Sequence, residues 1–384
     1  MMDLQLRPAW ASPRRLLLQL APFALTLALL TLAACTSDPP SSGSGSTAGA
    51  TTSGSTSSGG AGDTGLVMSD TGGATDTLPV EMDTGEAPDT GAPPMDTGAP
   101  PMDTAAPDVA DARPRVRIAT FNVRRFFDTE CDSNQCNENS FEEVLDGAEF
   151  AEKADRVAAA IRDMEADVVL LQELETEACL SALASRLEDI YPSAVLGETG
   201  GNASLDVAVL GAGDLVLTRR HRDQEIARPD GGTTRFAREF LEVHLGFGGR
   251  RAIVFSAHFK SKNNDDPSRR HAEAIAARNI IVSAATEFPG ALVVMGGDLN
   301  DTPDSEPLMA LEEGELLSRV AAELGGQDWT YMFQGTTSAL DHLYVAQPAA
   351  GEHLPGSSQV FRDGRGRWGG SDHAALGADF AWPE

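Results

Sequence analysis

Side chains that can bind metals or move protons follow the ends of several apolar runs in the C-terminal part of the chain. Asn122 ends "TFNV", Glu173 ends "VVLLQE", and Asp298 and Asn300 follow "VVMGG". The remaining members of this set are His258, Asp341, Asp372 and His373. One strand that ends in a polar residue is unremarkable, because a cap or a solvated end explains it. Six separate runs with such endings instead predict one shared site at the rim of the sheets.

The segment "RWGGSDHAAL", residues 367–376, places two glycines immediately before Ser371, Asp372 and His373. The glycines leave the backbone free to approach a ligand closely. An adjacent carboxylate and imidazole can bind a metal, move a proton or cap a strand, so their partners elsewhere in the chain must decide. The three residues do not make a serine-hydrolase triad, because sequence neighbours on a strand point to opposite faces.

The basic residues are few, and their placement is informative. The chain has three lysines, of which Lys260 and Lys262 stand together in "HFKSK" and alternate with His258, so that the three can share one face of a strand. The net charge is −29, of which residues 36–112 carry −12 and residues 1–35 carry +2, leaving −19 for residues 113–384. This acidity opposes broad nonspecific binding of nucleic acid, although a local patch of cations can still hold a phosphate.

The coarse pattern of residues 113–384 predicts an α/β fold in a single domain. The apolar runs that we interpret as strands are "RVRIATFNV", "ADVVLLQE", "LDVAVLG", "EFLEVHLGF", "RRAIVFSAHFK", "ALVVMGGD", "ALDHLYVA" and "ALGADF". Several are apolar on both faces, as in strands that are covered from two sides. The predicted helical faces are Ala154, Val157, Ala158 and Ile161; then Leu180, Leu183 and Leu187; and a third helix after Pro267. Two packed sheets flanked by helices satisfy this pattern.

Residues 1–35 have the features of an export signal. Arg7, Arg14 and Arg15 precede an apolar run that ends in small residues, and "LAAC" resembles the bacterial lipobox, which would make Cys35 a lipidated N-terminus. A membrane-spanning anchor is the alternative, since the run approaches spanning length. The lipobox favours a lipoprotein, and Thr36 after the cysteine resembles the sorting signal for the outer membrane or cell surface. We therefore expect an exported protein, anchored to the membrane by a lipid on Cys35.

Residues 36–112 are rich in Ser, Thr, Gly, Pro, Ala and Asp, with 12 acidic residues and no Lys or Arg. Such a composition cannot bury a core, so we expect a disordered tether. The tripeptide "DTG" recurs there and resembles the aspartic-protease motif. That chemistry needs two carboxylates held together in a packed site, and no apolar strand precedes any copy. The repeats are therefore interpreted as a low-complexity spacer.

Three cysteines lie beyond Cys35. Cys131 and Cys136, in "CDSNQC", could close a small disulfide loop, which an exported protein permits. Cys179 lies on an apolar helical face and is expected to be a buried free thiol. The spacing is not a zinc signature, because no second Cys or His pair accompanies it.

The ordered set of motifs resembles the endonuclease/exonuclease/phosphatase family, which includes deoxyribonucleases, abasic-site endonucleases, inositol-polyphosphate 5-phosphatases and neutral sphingomyelinases. The motifs are "TFNV", "LQELE", "HFKSK", "GGDLND", "LDHLYV" and "GSDHAAL", and they span roughly residues 117–376. Each fragment alone is weak, whereas the set in this order is specific. The resemblance implies a four-layered αββα sandwich, which agrees with the coarse pattern.

The resemblance also implies a role for each site residue. Glu173 would bind the metal, with Asn122 and Asp372 as further ligands or as groups that hold the ligands. Asp298 would orient or deprotonate the attacking water, and His258 and Asn300 would hold the phosphate oxygens. Asp341 would fix the tautomer of His373, which would serve the phosphoryl transition state. Lys260 and Arg238 would bind substrate, although Glu239 and Phe240 replace the prolines that follow this Arg in many bacterial relatives.

Oxygen ligands without clustered Cys or His suit Mg²⁺ or Mn²⁺ better than zinc. The resulting hypothesis is a metal-dependent phosphodiester hydrolase, with a nuclease favoured, that acts on a phosphate-ester substrate such as nucleic acid and works as a monomer. Two alternatives stay open: a phosphomonoesterase or lipid phosphodiesterase on the same fold, and a surface-binding module without catalysis. No Glu, Asp or His of the set is missing, which weighs against the binding module. The loops at residues 222–238 and 325–338, with Arg222, Arg228, Arg235, Trp329, Tyr331 and Phe333, are expected to distinguish the substrates.

Overall fold

The computed structural model describes residues 115–201, 203–347 and 351–382. The predicted signal peptide, Cys35 and the predicted tether lie outside the described residues. In chain order the elements are β1 (Arg115–Phe126), α1 (Gly147–Asp163), β2 (Val168–Leu174), α2 (Glu177–Arg186), β3 (Ser193–Gly197), β4 (Asp206–Gly211), β5 (Asp214–Arg220), β6 (Ile226–Ala227), β7 (Thr233–Thr234), β8 (Leu241–Phe247), β9 (Arg250–His258), α3 (Pro267–Glu287), β10 (Leu292–Asp298), α4 (Glu306–Glu312), β11 (Leu317–Arg319), β12 (Tyr331–Phe333), β13 (Thr336–Ser338), β14 (Asp341–Ala346), β15 (Glu352–His353), β16 (Gln359–Phe361) and β17 (Ala375–Ala381). Two 3₁₀ segments, Glu313–Glu315 and Val320–Gln327, flank β11.

Two mixed sheets form the centre of the domain. The first has seven strands in the order β15-β17-β1-β2-β4-β3, with β16 also paired to β17, and the second has six in the order β11-β14-β10-β9-β8-β5. In each sheet one adjacent pair is parallel, β1 with β2 and β9 with β10. Two short hairpins, β6-β7 and β12-β13, stand apart from these sheets.

Three apolar clusters lie between adjacent layers of the domain. One joins the outer face of the first sheet to α1 and α2, and a second joins the outer face of the second sheet to α3 and α4. The third lies between the two sheets and contains residues of β1, β2, β9 and β10, such as Ile118, Leu170, Val254 and Val294. The layer order is therefore helix, sheet, sheet, helix, which confirms the predicted αββα sandwich.

The helices begin where the sequence supplies capping side chains. Asp146 and Glu149 form a capping box at the start of α1, and Thr176 accepts the N–H of Ala178 at the start of α2. Pro267 opens α3, while Asp266 accepts the backbone N–H of Arg269. Among the described residues, no helix is both long enough and apolar enough to cross a membrane.

Candidate active site

Asp298 is the last residue of β10, and strand register places two other predicted site residues beside it. On the parallel strand β9 its partner is His258, and on the antiparallel strand β14 its partner is Asp341. All three side chains are buried at this edge of the second sheet. The pairing explains why the three motifs, far apart in sequence, meet at one point.

The first sheet contributes Asn122 and Glu173 from its neighbouring strands β1 and β2. Both strands have a register irregularity at this position, and Glu173 has a φ of 70°. A left-handed conformation of a non-glycine residue costs on the order of 1–3 kcal/mol and is typical of functional sites. Here it turns the carboxylate toward Asn122, whose Nδ2 donates to Glu173 Oε1 (3.2 Å) and to Asp298 Oδ2 (3.0 Å). One buried amide therefore joins the carboxylates of the two sheets.

His373 lies just before β17 and forms the second connection between the sheets. Its Nδ1 lies 2.8 Å from Asp341 Oδ2, and its Nε2 lies 3.9 Å from Asp298 Oδ2. Burial alone would lower the pKa of His373, but the charges of Asp341, Asp298 and Asp372 outweigh burial and raise the pKa to about 10. The imidazole is therefore held as a cation at neutral pH, with Nε2 facing the centre of the site.

Burial also shifts the pKa values of Asp298 and His258. Burial, with the charge of Asp341 adding to it, raises the pKa of Asp298 above its usual range. Burial, together with the nearby charges of Arg238 and His373, lowers the pKa of His258 well below its usual value. Since His258 Nε2 lies 3.7 Å from Asp298 Oδ2, a neutral imidazole and a cationic one flank the same carboxylate.

The geometry of the "GGSDH" segment shows why two glycines and a serine precede Asp372 and His373. Gly369 has a φ of 54° and Gly370 a φ of 88°, and a Cβ at position 369 would lie 2.5 Å from the Cβ of Ala160. Ser371 is buried, and its hydroxyl donates to the carbonyl of Asn122 (2.7 Å) and accepts the backbone N–H of His373 (3.0 Å). The glycines allow the close turn, and the serine fixes His373 to β1.

The donor set fits a hard divalent cation. One ligand atom each from Glu173, His258 and Asp298 lie within 4.8 Å of one another. Two carboxylates converge there, and within the described ranges neither is paired with a Lys or an Arg. Asn122 turns its Nδ2 toward these carboxylates while its Oδ1 accepts the N–H of Arg124, so here it holds the carboxylates in place. Asp372 lines the same cleft but pairs with the Arg124 guanidinium (3.4 Å).

Some of the residues predicted to bind the substrate line the cleft, and others do not. Asn300 and Arg238 line the cleft, and both donate to the carbonyl of Phe259, at 3.2 and 3.1 Å. Lys260 does not line it, because its ammonium donates to the carbonyls of Ser261 and Asn263. Its neighbour Lys262, which was not assigned to the site, lines the cleft instead.

Glu273, which no sequence pattern marked as a site residue, supports the segments next to Arg238 and Lys260. It is fully buried on α3, and its carboxylate accepts the backbone N–H groups of Ala237 and Lys260, each at 2.7 Å. It thereby holds the segments before Arg238 and after His258 against the helix. Alanines surround it in the sequence, so no pattern distinguishes it from a solvent-facing helical Glu.

The cleft has a volume of about 1050 Å³ and a basic, aromatic rim. Its basic lining residues are Arg124, Arg125, Arg238 and Lys262, and its aromatic ones are Phe141, Tyr331 and Phe333. Of the loop residues expected to distinguish the substrates, Tyr331 and Phe333 line the cleft, whereas Arg222, Arg228 and Arg235 do not. Arg228 instead pairs with Asp230 and Asp266. Trp329, also outside the lining, is covered by the Arg362 guanidinium at 3.7 Å from its ring.

The cysteines of the domain do not line the cleft. Cys131 and Cys136 form a disulfide, and Cys179 is a buried free thiol whose Sγ donates to the carbonyl of Phe126. Burial raises the pKa of Cys179 to about 11, so it is not a nucleophile at neutral pH.

Solved structures share this fold at low sequence identity. An endonuclease/exonuclease/phosphatase from Bacteroides vulgatus gives a TM-score of 0.51 with 18% identity, over 70% of this chain and 100% of that one. The human Nocturnin catalytic domain with bound sulfate anion gives 0.49 with 17% identity, over 70% and 95%. D. rerio TDP2 complexed with single strand DNA product gives 0.47 with 19% identity, over 69% and 98%. The first of these supports the fold assignment.

No curated protein sequence matches the chain. The sequence profile described as Endonuclease/Exonuclease/phosphatase family matches residues 119–373, which is most of the domain and includes every candidate site residue discussed above. The chain therefore belongs to the endonuclease/exonuclease/phosphatase family.

Proposed function

We propose that the domain is a metal-dependent phosphodiester hydrolase and that its substrate is nucleic acid. Glu173, with Asp298 and His258, would hold Mg²⁺ or Mn²⁺. When bound, this ion supplies positive charge for the phosphate oxygens and lowers the pKa of water. The convergence of Glu173 and Asp298, neither of which pairs with a Lys or an Arg among the described residues, supports this assignment, because a cation between two carboxylates offsets their repulsion.

The protein residues account for the remaining steps. Asp298, between His258 and His373, is placed to orient an attacking water beside the metal site. His373, held as a cation by Asp341, stabilises negative charge on the phosphoryl group and can donate its Nε2 proton. Asn300 and Arg238 lie on the same side of the cleft and supply donors for the phosphate oxygens.

The observation that favours nucleic acid over a small phosphate ester is the rim of the cleft. Phe333 is 60% exposed and Phe141 is 50% exposed, although large apolar side chains are normally buried. Both lie among the cations of the lining, which is the arrangement that stacks bases while it binds a sugar–phosphate backbone. A phosphomonoester would need only the catalytic centre.

A second basic pocket extends the same surface. It has a volume of about 240 Å³, and its basic lining residues are Arg124, Arg125, Lys153 and Arg156. Arg124 and Arg125 line both this pocket and the cleft, so the two are continuous. A chain with several phosphates could bind both at once, which supports a polymeric substrate.

The test compares DNA, RNA, phosphoinositides and sphingomyelin as substrates of the purified protein, with Mg²⁺ and with a chelator. We expect cleavage of nucleic acid. Phe333→Ala should weaken its binding by about tenfold, since base stacking contributes roughly 1–3 kcal/mol per base, while hydrolysis of a small aryl phosphodiester stays unchanged. Met309→Ala, at another exposed apolar residue that does not line the cleft, is the control. Selective cleavage of a lipid headgroup would instead favour the lipid phosphodiesterase.

We further propose that Cys35 anchors the protein to the cell envelope and that residues 36–112 hold the domain away from the membrane. The lipobox-like "LAAC" and the composition of the following segment support this proposal.

A further inference from the structure

A second group of acidic side chains lies outside the cleft, where the loop after β1 meets the turn between β2 and α2. Asp128, Asp132 and Glu175 each place one carboxylate oxygen within 4.8 Å of the others. In the part of the chain that the structure describes, none of them pairs with a Lys, Arg or His side chain. Three unneutralised carboxylates at this separation repel one another.

One oxygen of this cluster is both buried and unpaired. Glu175 is 1% exposed, and its Oε2 accepts the backbone N–H of Asp128 at 2.9 Å. Its Oε1 is buried and has no hydrogen-bond partner among the described residues. A buried carboxylate oxygen without a partner is costly, and a cation bound beside the two neighbouring carboxylates would offset that cost.

The exposed member of the cluster is held in place by neighbouring groups. Glu142 is buried, and its two oxygens accept the backbone N–H groups of Asp132 (2.6 Å) and Ser133 (2.8 Å). The disulfide between Cys131 and Cys136 closes a loop that contains Asp132. These contacts fix the backbone of Asp132 while its side-chain oxygens remain available.

Asp128 is similarly fixed in position. Its Oδ1 accepts the backbone N–H of Glu130 (2.7 Å), and its Oδ2 accepts the hydroxyl of Thr176 (2.6 Å). Each carboxylate oxygen has a second lone pair, so these bonds orient the group without using up its capacity as a ligand.

We propose that Asp128, Asp132 and Glu175 bind a calcium ion at a site separate from the catalytic one. The donors are all carboxylate oxygens, which suit a hard cation rather than zinc. Calcium accepts irregular arrangements of six to eight oxygens, including bidentate carboxylates, whereas magnesium demands near-octahedral geometry and usually binds through one or two carboxylates. The ion joins the loop after β1 to the end of β2, the two strands that carry Asn122 and Glu173.

The test is calcium titration of the metal-stripped full-length protein in a constant excess of Mg²⁺, followed by calorimetry and by thermal unfolding. We expect one calcium ion to bind and to raise the Tm, because a ligand of the folded state alone stabilises it. Asp132→Asn, at an exposed position, should weaken the calcium affinity at least about tenfold. Glu138→Gln, an exposed carboxylate from the same segment that is outside the cluster, should not change the affinity.

A catalytic-site variant distinguishes this site from the cleft. Glu173→Gln should keep the calcium-dependent rise in Tm, and circular dichroism should show that Asp132→Asn is folded. Three results would overturn the proposal: no calcium binding to the folded wild type, an unchanged affinity in Asp132→Asn, or loss of calcium binding in Glu173→Gln.

Discussion

His373 Nδ1 lies 2.8 Å from Asp341 Oδ2, and this contact joins the two sheets, since His373 precedes β17 of the first and Asp341 opens β14 of the second. Asp341 therefore orients an imidazole that belongs to the other sheet and favours its charged form.

The dyad predicts matched losses of activity. His373→Ala should lower kcat by roughly 10²- to 10⁴-fold with little change in Tm. Asp341→Asn keeps the shape of the side chain but not its charge, so it should lose much of the same activity. The measurement is kcat for nucleic-acid hydrolysis together with thermal unfolding.

The double variant tests whether the two residues act as a unit. Groups that act together are non-additive, so His373→Ala combined with Asp341→Asn should be little worse than His373→Ala alone. Losses that multiply would show that the residues act separately, and the dyad assignment would then be wrong.

Gly297 should be intolerant of substitution because β9 and β10 approach closely there. A Cβ at this position would lie 1.9 Å from the carbonyl oxygen of Ala257. Gly297→Ala must push apart the strands that carry His258 and Asp298, so we expect a loss of about 1–3 kcal/mol or more in the free energy of unfolding, with reduced activity. Gly364→Ala is the control, because a Cβ there meets nothing within 4 Å. Equal stability of the two variants would refute the close approach.

The predicted pH dependence of stability concerns Glu242, which does not line the cleft. Burial alone would raise the pKa of Glu242, but hydrogen bonds with His221 (2.8 Å) and His244 (2.6 Å) outweigh burial and lower the pKa to about 2. A carboxylate whose pKa is lowered by folding stabilises the folded state above its unfolded pKa. That stabilisation is lost as the pH falls from about 4.5 toward 2.

Glu242→Gln should therefore destabilise the protein at pH 7 by up to about 3 kcal/mol. The difference from wild type should shrink as the pH falls below about 4.5. Denaturant unfolding of both proteins between neutral and acidic pH measures it. A difference that stays constant across this range would mean that Glu242 contributes through packing rather than charge.

The proposed anchor gives a prediction for whole cells. Cys35→Ala should abolish lipid attachment and leave the chain unprocessed or released, because the cysteine sulfur is the proposed lipidation site. Metabolic labelling with a fatty acid and membrane fractionation measure this. Undiminished lipid label and unchanged membrane extraction in the variant would contradict it.

Much of the fold could be predicted because buried strands appear in the sequence as short apolar runs. All eight predicted apolar runs contain strands of the two sheets, and the three predicted helices form. The strands β3, β5, β11, β15 and β16 of the two sheets were missed. In β5, Leu215 and Val216 are 49% and 50% exposed, so this edge strand has no buried face that a pattern could mark.

Most of the site residues were predictable from the motifs, but the course of the loop after β9 was not. His258 is the last residue of β9, so the alternation that grouped it with Lys260 and Lys262 stops applying there. The chain leaves the extended conformation, and Lys262 rather than Lys260 reaches the cleft. Contacts such as those of Glu273 depend on tertiary structure, which no local pattern encodes.

The Glu173→Gln variant tests the assignment of the catalytic metal site. Because the apolar part of β2 is untouched, the fold should persist while the Mg²⁺ affinity falls. Activity should partly return at high Mg²⁺ or Mn²⁺. An unchanged Mg²⁺ dependence of the hydrolysis rate would remove Glu173 from the metal site.

The most direct test of the central claim is hydrolysis of labelled single-stranded DNA by the purified wild-type protein with Mg²⁺, with excess EDTA, and with EDTA followed by excess Mg²⁺. We expect cleavage with Mg²⁺, no cleavage with excess EDTA, and recovery when excess Mg²⁺ follows EDTA. Full activity in excess EDTA would contradict the assignment of Glu173 and Asp298 to a catalytic metal site.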